Sequence, residues 1–97
     1  MNIFKQKNGT TLEVKLEGRL DTVTSAELTA SLEEEEGFTD IRFDFEKLEY
    51  LSSSGLRLLF AYRKKLGGKE HVILVNVNAL VAEILRVTGF NQQVTIQ

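Results

Sequence analysis

The stretch "EYLSSSGLRLLF", residues 49 to 60, joins a strand-like segment to the start of a helix through three serines and a glycine. A helix N-terminus leaves backbone N–H groups without partners, and one serine oxygen is enough to accept from one of them. Two hydroxyls are therefore left over. Gly55 is equally unexpected, because glycine inside a helix costs about 0.5–1 kcal/mol relative to alanine. The stretch therefore indicates a function beyond helix capping.

Length and composition narrow the class of protein. The chain has 97 residues, of which 42% are hydrophobic and 27% charged, and we expect one soluble domain over residues 1–97. A net charge of -2 disfavours nucleic acid as a partner, and the absence of cysteine excludes disulfides and thiolate metal sites. No apolar run is long enough for a signal peptide or a membrane span. We therefore expect a cytoplasmic protein without direct membrane insertion.

The residues before the serine stretch predict three strands and one helix. Asn8-Gly9 predicts the centre of a tight hairpin turn between two antiparallel strands. A helix follows, with Thr24 or Ser25 as its cap and the run 33–36, "EEEE", as a solvated, fraying end. The third strand is "DIRFDFE". Alternation predicts these inward-facing positions in the second and third strands: Leu12, Val14, Leu16, Ile41, Phe43 and Phe45.

The residues after the serines predict two helices and two strands. The second helix carries apolar residues at helical spacing, and "HVILVNV" is a nearly continuous apolar strand, as expected inside a sheet covered by helices. Asn78 caps the last helix, whose apolar stripe is Leu80, Ile84 and Val87. The tail "QVTIQ" is a candidate edge strand. The predicted core of this half consists of Leu59, Phe60, Ile73, Leu74 and Ile84.

The order of elements is β-β-α-β-α-β-α-β. Short connections between strand, helix and strand require right-handed crossovers, which make the neighbouring strands parallel. The sequence thus predicts a single α/β domain with a mixed sheet of four to five strands and helices packed on it.

Catalysis by the serine stretch is not favoured. A nucleophilic serine needs a base, and His71, the only histidine, lies at the start of a predicted strand. The stretch also lacks the second glycine and the lysine of a phosphate-binding loop, and the acidic pair of an aspartyl receiver domain is absent. Asp21 and Asp44 remain as isolated acids. We therefore expect no enzyme activity, no metal and no cofactor.

A serine that is modified is the remaining functional interpretation. A phosphate at a helix N-terminus meets free N–H groups and the positive end of the helix dipole. Gly55 would let the backbone of another protein come close. The alternative is a helix cap with more hydroxyls than it needs, and spacing alone leaves both interpretations open.

Three segments resemble a known family over essentially the whole chain. "LEYLSSSGLRLLFAYRKKL" resembles the signature of STAS domains of the anti-sigma factor antagonist type. "LEGRLDTVTSAELTASL" resembles the turn of that family into its first helix, and "ILVNVNALVAEILRVTGF" resembles its closing strand and helix. The resemblance implies the STAS fold.

The resemblance also implies a phosphorylation site at Ser53, two residues before the glycine. Ser52 stands where the best-known members have aspartate, and Asp21 matches an acidic residue that lies near the serine. The residues implied in partner binding are Asp21, Leu51, Ser52, Ser54, Gly55, Leu56 and Arg57.

The function implied by the resemblance is partner switching. The unphosphorylated protein binds an anti-sigma factor that is also an ATP-dependent serine kinase, phosphorylation releases it, and a metal-dependent serine phosphatase resets it. An alternative is a STAS subunit of a lipid or anion transport complex, docked on a permease or ATPase without phosphorylation. A purely structural interaction module is a third possibility.

Overall fold

Five strands form one mixed sheet in the computed structural model, which describes all residues 1–97. The elements are β1 (Asn2–Asn8), β2 (Thr11–Leu20), α1 (Thr22–Glu33), β3 (Asp40–Leu51), α2 (Ser53–Leu66), β4 (Val72–Val75), α3 (Ala79–Thr88) and β5 (Thr95–Ile96). Short 3₁₀ helices at Lys69–His71 and Phe90–Gln92 precede β4 and β5. The predicted order of elements is confirmed, including the short strand at the tail.

The strands lie side by side in the order in which they occur in the chain, β1-β2-β3-β4-β5. β1 is antiparallel to β2, and the other neighbours are parallel. Each helix connects two neighbouring parallel strands, and each connection moves one strand further in the same direction across the sheet. Because such connections are right-handed, α1, α2 and α3 all lie on the same face. The other face of the sheet carries no helix. β4 is therefore covered on one face only, although its nearly continuous apolar run predicts helices on both faces, and Ile73, which was predicted in the core, is half-buried like Val75.

One hydrophobic core fills the space between the helices and the sheet. The strands contribute alternate residues, and all six inward-facing positions predicted in β2 and β3 are confirmed as buried. Leu59 and Leu74 are also fully buried, as predicted. The helices contribute Leu28, Leu32, Leu58, Leu59, Tyr62, Val81 and Leu85.

The rotation of α3 differs from the prediction. Val81 and Leu85 face the core, whereas Leu80 and Val87 are 53% and 68% exposed and Ile84 is only partly buried. The reason lies in the cap, because the Asn78 side chain donates from Nδ2 to the carbonyl oxygens of Phe45 and Leu48, at 3.1 and 2.7 Å. These bonds to β3 fix the start of the helix. Apolar spacing alone could not select between two adjacent stripes.

Two local predictions near the start of the chain are wrong by a few residues. Asn8 pairs with Thr11, so Gly9 and Thr10 form the centre of the hairpin turn. Gly9 has a φ of 65° and Thr10 does not have a positive φ, the pattern of a type II′ turn with glycine first. Asp21, and neither Thr24 nor Ser25, caps α1.

The acidic end of α1 is held and does not simply fray. Lys5 Nζ on β1 donates to the Ser31 carbonyl at 2.7 Å and lies 3.1 and 3.0 Å from carboxylate oxygens of Glu34 and Glu35. The hydrogen bond to Glu35 raises the pKa of Lys5. Lys7 donates to the Glu36 carbonyl. Lysines on β1 thus offset negative charge at a helix C-terminus, where it is unfavourable.

Candidate functional site

Two helices begin side by side at one edge of the sheet. β2 leads into α1 through Asp21, and β3 leads into α2 through Ser52. Because β2 and β3 are parallel neighbours, both junctions lie at their carboxyl ends. The Ser52 N–H donates to the Leu20 carbonyl at 2.9 Å, which ties one junction to the other.

The three serines of the second junction have different environments. Ser52 is the N-cap of α2, and its Oγ accepts from the Gly55 N–H at 3.2 Å. Ser54 Oγ lies 3.2 Å from Thr22 Oγ1 on α1 and accepts from Arg57 Nη2 at 3.1 Å. Ser53 is exposed, and its hydroxyl makes no hydrogen bond within the protein. Only the hydroxyl of Ser53 is therefore both exposed and free.

Ser53 begins an exposed face of α2. Arg57, Phe60 and Lys64 follow it at intervals of four, three and four residues, which places all four side chains on one side of the helix. We call these residues the α2 outer face. Phe60 was predicted in the core, but it is 38% exposed and packs edge-on against Phe90, with ring centroids 6.4 Å apart. Its spacing from Ser53 is the sequence signal that identifies it as part of this surface.

α2 carries only positive charge. Arg57, Arg63, Lys64 and Lys65 have no acidic counterpart on the helix, and no carboxylate lies in its first turn. None of these four cations forms an ion pair with a carboxylate. The N-terminus of α2 and the α2 outer face are therefore a positively charged region in a chain of net negative charge.

Gly55 and Leu51 lie beneath the serines and do not form the surface. Leu51 is 2% exposed, and Gly55 is buried in the first turn of α2. A Cβ at position 55 would lie 2.7 Å from Leu51 Cδ1 and 2.9 Å from Leu20 Cδ2. The glycine thus lets α2 approach the ends of β2 and β3, which is a different reason from the access for a partner that we expected. Leu56 is partly buried against the core.

Asp21 lies at the same edge but is engaged with its own helix. Its Oδ1 accepts from the Thr24 N–H at 3.0 Å, while the Asp21 N–H donates to Thr24 Oγ1 at 2.8 Å, forming a reciprocal cap. The hydrogen bond from the Thr24 backbone is the largest cause that lowers the pKa of Asp21. Because the next residue, Thr22, contacts Ser54, Asp21 lies beside the serine junction, as the resemblance implies.

A pair of residues near this junction was not predicted from the sequence. The Arg19 guanidinium lies over the Tyr50 ring, with its carbon 4.4 Å from the ring centroid. Both residues are exposed near the carboxyl ends of β2 and β3. Their register in the parallel pair, Arg19 beside Tyr50, is the feature that brings them together, and it depends on a bulge that sequence does not reveal.

His71 lies away from the serines. It ends the 3₁₀ helix before β4, and its Nδ1 is 2.6 Å from an oxygen of Asp40, the first residue of β3. This pair is at the amino end of the parallel strands, opposite to the serine junction. No group of three or more His, Cys, Asp or Glu side chains is arranged to hold a metal. None of the helices is long and apolar enough to cross a lipid bilayer.

Residues 2–97 match the family model of the STAS domain. The chain belongs to the STAS domain family. No curated protein sequence matches this STAS domain.

Solved structures with a similar fold include anti-sigma factor antagonists. SpoIIAA in its unphosphorylated form is 21% identical, with a TM-score of 0.82 over 99% of this chain and 88% of its own. SpoIIAA of Bacillus in the phosphorylated form is 20% identical, with a TM-score of 0.73 over 99% and 91%. An anti-sigma factor antagonist from Mycobacterium paratuberculosis is 20% identical, with a TM-score of 0.77 over 98% and 83%. These similarities establish that the STAS domain has the fold of SpoIIAA.

Proposed function

We propose that this STAS domain is an anti-sigma factor antagonist that binds an anti-sigma factor and loses that binding when Ser53 is phosphorylated. The observation that carries the proposal is the free, exposed hydroxyl of Ser53 between two serines that are both engaged. The fold shared with SpoIIAA, which has been solved with and without phosphate, supports it.

The α2 outer face is the proposed docking surface. Phe60 offers an exposed aromatic ring, the kind of side chain that contributes strongly to interfaces, and Arg57 and Lys64 flank it with positive charge. Ser53 lies at one end of this face. A phosphate there adds about 1.5 to 2 negative charges and a tightly held hydration shell. Binding is lost for two reasons. The phosphate must be desolvated on docking, and it meets acidic groups of a partner surface that is complementary to the basic α2 outer face.

The domain itself tolerates the phosphate. The first turn of α2 has free N–H groups and no carboxylate, and Arg57 lies four residues after Ser53 on the same side. Ser52, which stands where the best-known relatives have aspartate, adds no repulsion. The phosphate thus weakens the complex without unfolding the domain.

In the proposed cycle the domain is a substrate and not an enzyme. The anti-sigma factor is the ATP-dependent serine kinase, and a metal-dependent serine phosphatase restores the hydroxyl. No histidine lies beside the three serines, since His71 is at the opposite edge of the sheet, and the nearby Asp21 carboxylate already accepts from the Thr24 N–H. Purified domain incubated with ATP or with an ester substrate should show background hydrolysis only, and turnover that His71→Ala abolishes would contradict this part of the proposal.

Mass spectrometry and binding assays together test the proposal. After incubation with the candidate kinase and ATP, peptide mapping should place the phosphate on Ser53. Ser53→Ala should keep partner binding and resist phosphorylation, whereas Ser53→Asp should weaken binding by at least about tenfold. Ala82→Asp, which adds the same charge at an exposed position of α3, is the matched control and should bind normally.

Two outcomes would count against the proposal. Phosphate on Ser52 or Ser54 would move the site to a hydroxyl that the fold already uses. Full binding by Ser53→Asp would favour the transport-subunit alternative, in which docking does not depend on phosphorylation.

A further inference from the structure

The helix-free face of the sheet carries an alternating pattern of charge. Along β2 the side chains on this face are Glu13, Lys15 and Glu17, and along β3 they are Arg42, Asp44 and Lys47. The strand register places opposite charges side by side in three rows, which are Glu13 with Arg42, Lys15 with Asp44, and Glu17 with Lys47. The six residues form a checkerboard of negative and positive charge, which we call the charged face.

Most of these charges have no ion-pair partner within the domain. Only Glu17 and Lys47 approach each other, at 3.8 Å. Glu13 and Asp44 each have one hydrogen bond, from the Asn8 amide at 3.5 Å and from the Glu46 N–H at 3.0 Å. Arg42 and Lys15 have no carboxylate within 4.0 Å. The four central side chains are nevertheless half-buried, so they form a dense polar layer over the middle of the sheet.

Apolar side chains border the charged face on both sides. Phe4 of β1 is 52% exposed and lies next to Lys15 in the register, while Val75 of β4 lies next to Asp44. One row of the face therefore reads Phe4, Lys15, Asp44, Val75 from β1 to β4. The row beside it reads Gln6, Glu13, Arg42, Ile73. All of these side chains except Ile73 line a shallow open cavity of about 400 Å³.

We propose that the charged face binds a second copy of this chain, face to face, about a two-fold axis parallel to the strands and between β2 and β3. Such an axis exchanges β2 with β3 and β1 with β4. It places Glu13 over Arg42, Lys15 over Asp44 and Glu17 over Lys47 of the other copy. It also places Phe4 over Val75. Every central contact joins opposite charges, and each occurs twice because the interface is isologous.

The second copy fits better than a partner with charge of one sign. Three acidic and three basic side chains give the face no net charge, so a wholly acidic or wholly basic surface would meet as much repulsion as attraction. Sheets that pack face to face lie about 10 Å apart with their strands roughly aligned, which suits this axis. The serine junction lies beside the helices at the end of the strands, so the dimer leaves both copies of Ser53 accessible.

The size of the face sets the strength of the dimer. Four strands and three rows of side chains cover roughly 400 Å² in projection on each copy, which is small beside the about 800 Å² per partner of a standard stable interface. We therefore expect a weak, reversible dimer that forms between micromolar and millimolar concentration. Because its central contacts are ionic, added salt should dissociate it.

Analytical ultracentrifugation of the full chain and of charge-reversed variants tests the proposal. In the proposed dimer, position 13 of each copy faces position 42 of the other. Glu13→Lys therefore places a lysine opposite Arg42 at two points of the interface, and Arg42→Glu places a glutamate opposite Glu13 at the same two points. Each variant alone should dimerise at least about tenfold more weakly than wild type. A mixture of the two should form a heterodimer, because each introduced charge then faces its complement on the other chain. Glu27→Lys, with the same charge change on an exposed position of α1, should dimerise like wild type.

Four outcomes of these experiments would contradict the proposed dimer or its axis. A wild-type chain that stays monomeric at millimolar concentration and low salt would overturn the proposal, as would full dimerisation of Glu13→Lys. A mixture of the two variants that stays monomeric would rule out this axis. It would favour a two-fold axis perpendicular to the strands, which places position 13 opposite Lys15, so that mixing the variants would not restore attraction. Loss of the dimer in Glu27→Lys would show an effect of net charge and not of the charged face. Circular dichroism of each variant checks that the domain remains folded.

Discussion

The hydroxyl oxygens of Thr22 and Ser54 lie 3.2 Å apart, across the gap between the first turns of α1 and α2. Together with the hydrogen bond from Ser52 to Leu20, this contact holds the two helix starts against each other. Ser53 lies between two serines that are both fixed, so its side chain projects from a rigid support. A group added to Ser53 would therefore project from the surface and would not be absorbed by movement of a loop.

The different environments of the serines predict different effects on stability. Ser52→Ala removes the acceptor of the Gly55 N–H and should lower the free energy of unfolding by about 0.5–2 kcal/mol. Ser53→Ala removes no hydrogen bond and should change it by less than about 0.5 kcal/mol. Urea denaturation of both variants measures the difference. Equal losses in the two variants would contradict the assignment of Ser52 as the cap.

Gly55→Ala should destabilise the domain even though alanine is the better helix former. The added methyl group would lie within 3 Å of Leu51 Cδ1 and Leu20 Cδ2, and overpacking of this kind costs about 1–3 kcal/mol. In a Leu51→Ala background the same substitution should cost less, because one of the clashing methyl groups is gone. Thermal and chemical denaturation of the single and double variants give the comparison. A Gly55→Ala variant more stable than wild type would show that the close approach is not limiting.

The neighbours Leu59 and Phe60 should respond very differently to truncation. Leu59 is fully buried, and Leu59→Ala should cost roughly 2–5 kcal/mol. Phe60→Ala should cost clearly less than Leu59→Ala, since Phe60 is 38% exposed and lies outside the core, packed edge-on against Phe90. If Phe60 is part of the docking surface, the same variant should weaken partner binding. A loss below half a kilocalorie for Leu59→Ala would contradict its place in the core.

Asp21 should make stability depend on pH at the acid end. Its pKa lies below the ordinary value of 3.8, chiefly because its carboxylate accepts from the Thr24 N–H. A carboxyl group with a lowered pKa in the folded state stabilises the fold above the ordinary value, and this contribution is lost as the pH falls through the lowered pKa. Asp21→Asn keeps a capping oxygen without the charge. The difference in unfolding free energy between wild type and Asp21→Asn should therefore shrink below about pH 4, and a constant difference would contradict the assignment.

The sequence predicted the sheet better than the helices. Period-two alternation has only two solutions, so the inward residues of β2 and β3, such as Val14 and Phe43, followed directly from the pattern. A helix with apolar residues on more than a third of its circumference can face the core in several rotations about its axis. Phe60 and Val87 satisfied the helical spacing but belong to exposed stripes, because contacts at the helix starts, Asn78 with β3 for α3 and Gly55 with Leu20 for α2, decide the rotation. These contacts are long-range and leave no local trace.

The candidate site was predictable in position but not in the roles of its residues. A run of serines before an apolar helix indicated the junction, and Asp21 and Arg57 lie beside it. Which hydroxyl is free depends on two contacts: the local bond from the Gly55 N–H to Ser52, and the contact of Ser54 with Thr22, which the parallel pairing of β2 and β3 makes possible. The charged face was invisible for the same reason, since neither β2 nor β3 alone shows a checkerboard.

The contacts of Lys5 with the end of α1 also bear on aggregation in concentrated solution. β1 is the outermost strand, and its free backbone groups could template the addition of another strand and so start aggregation. Lys5 and Lys7 point toward the helices from this strand, so an incoming strand would have to pack beside ammonium groups already held by Ser31 and the acidic run. We therefore expect the acidic run to disfavour strand addition at this edge, because it keeps two charged side chains beside β1.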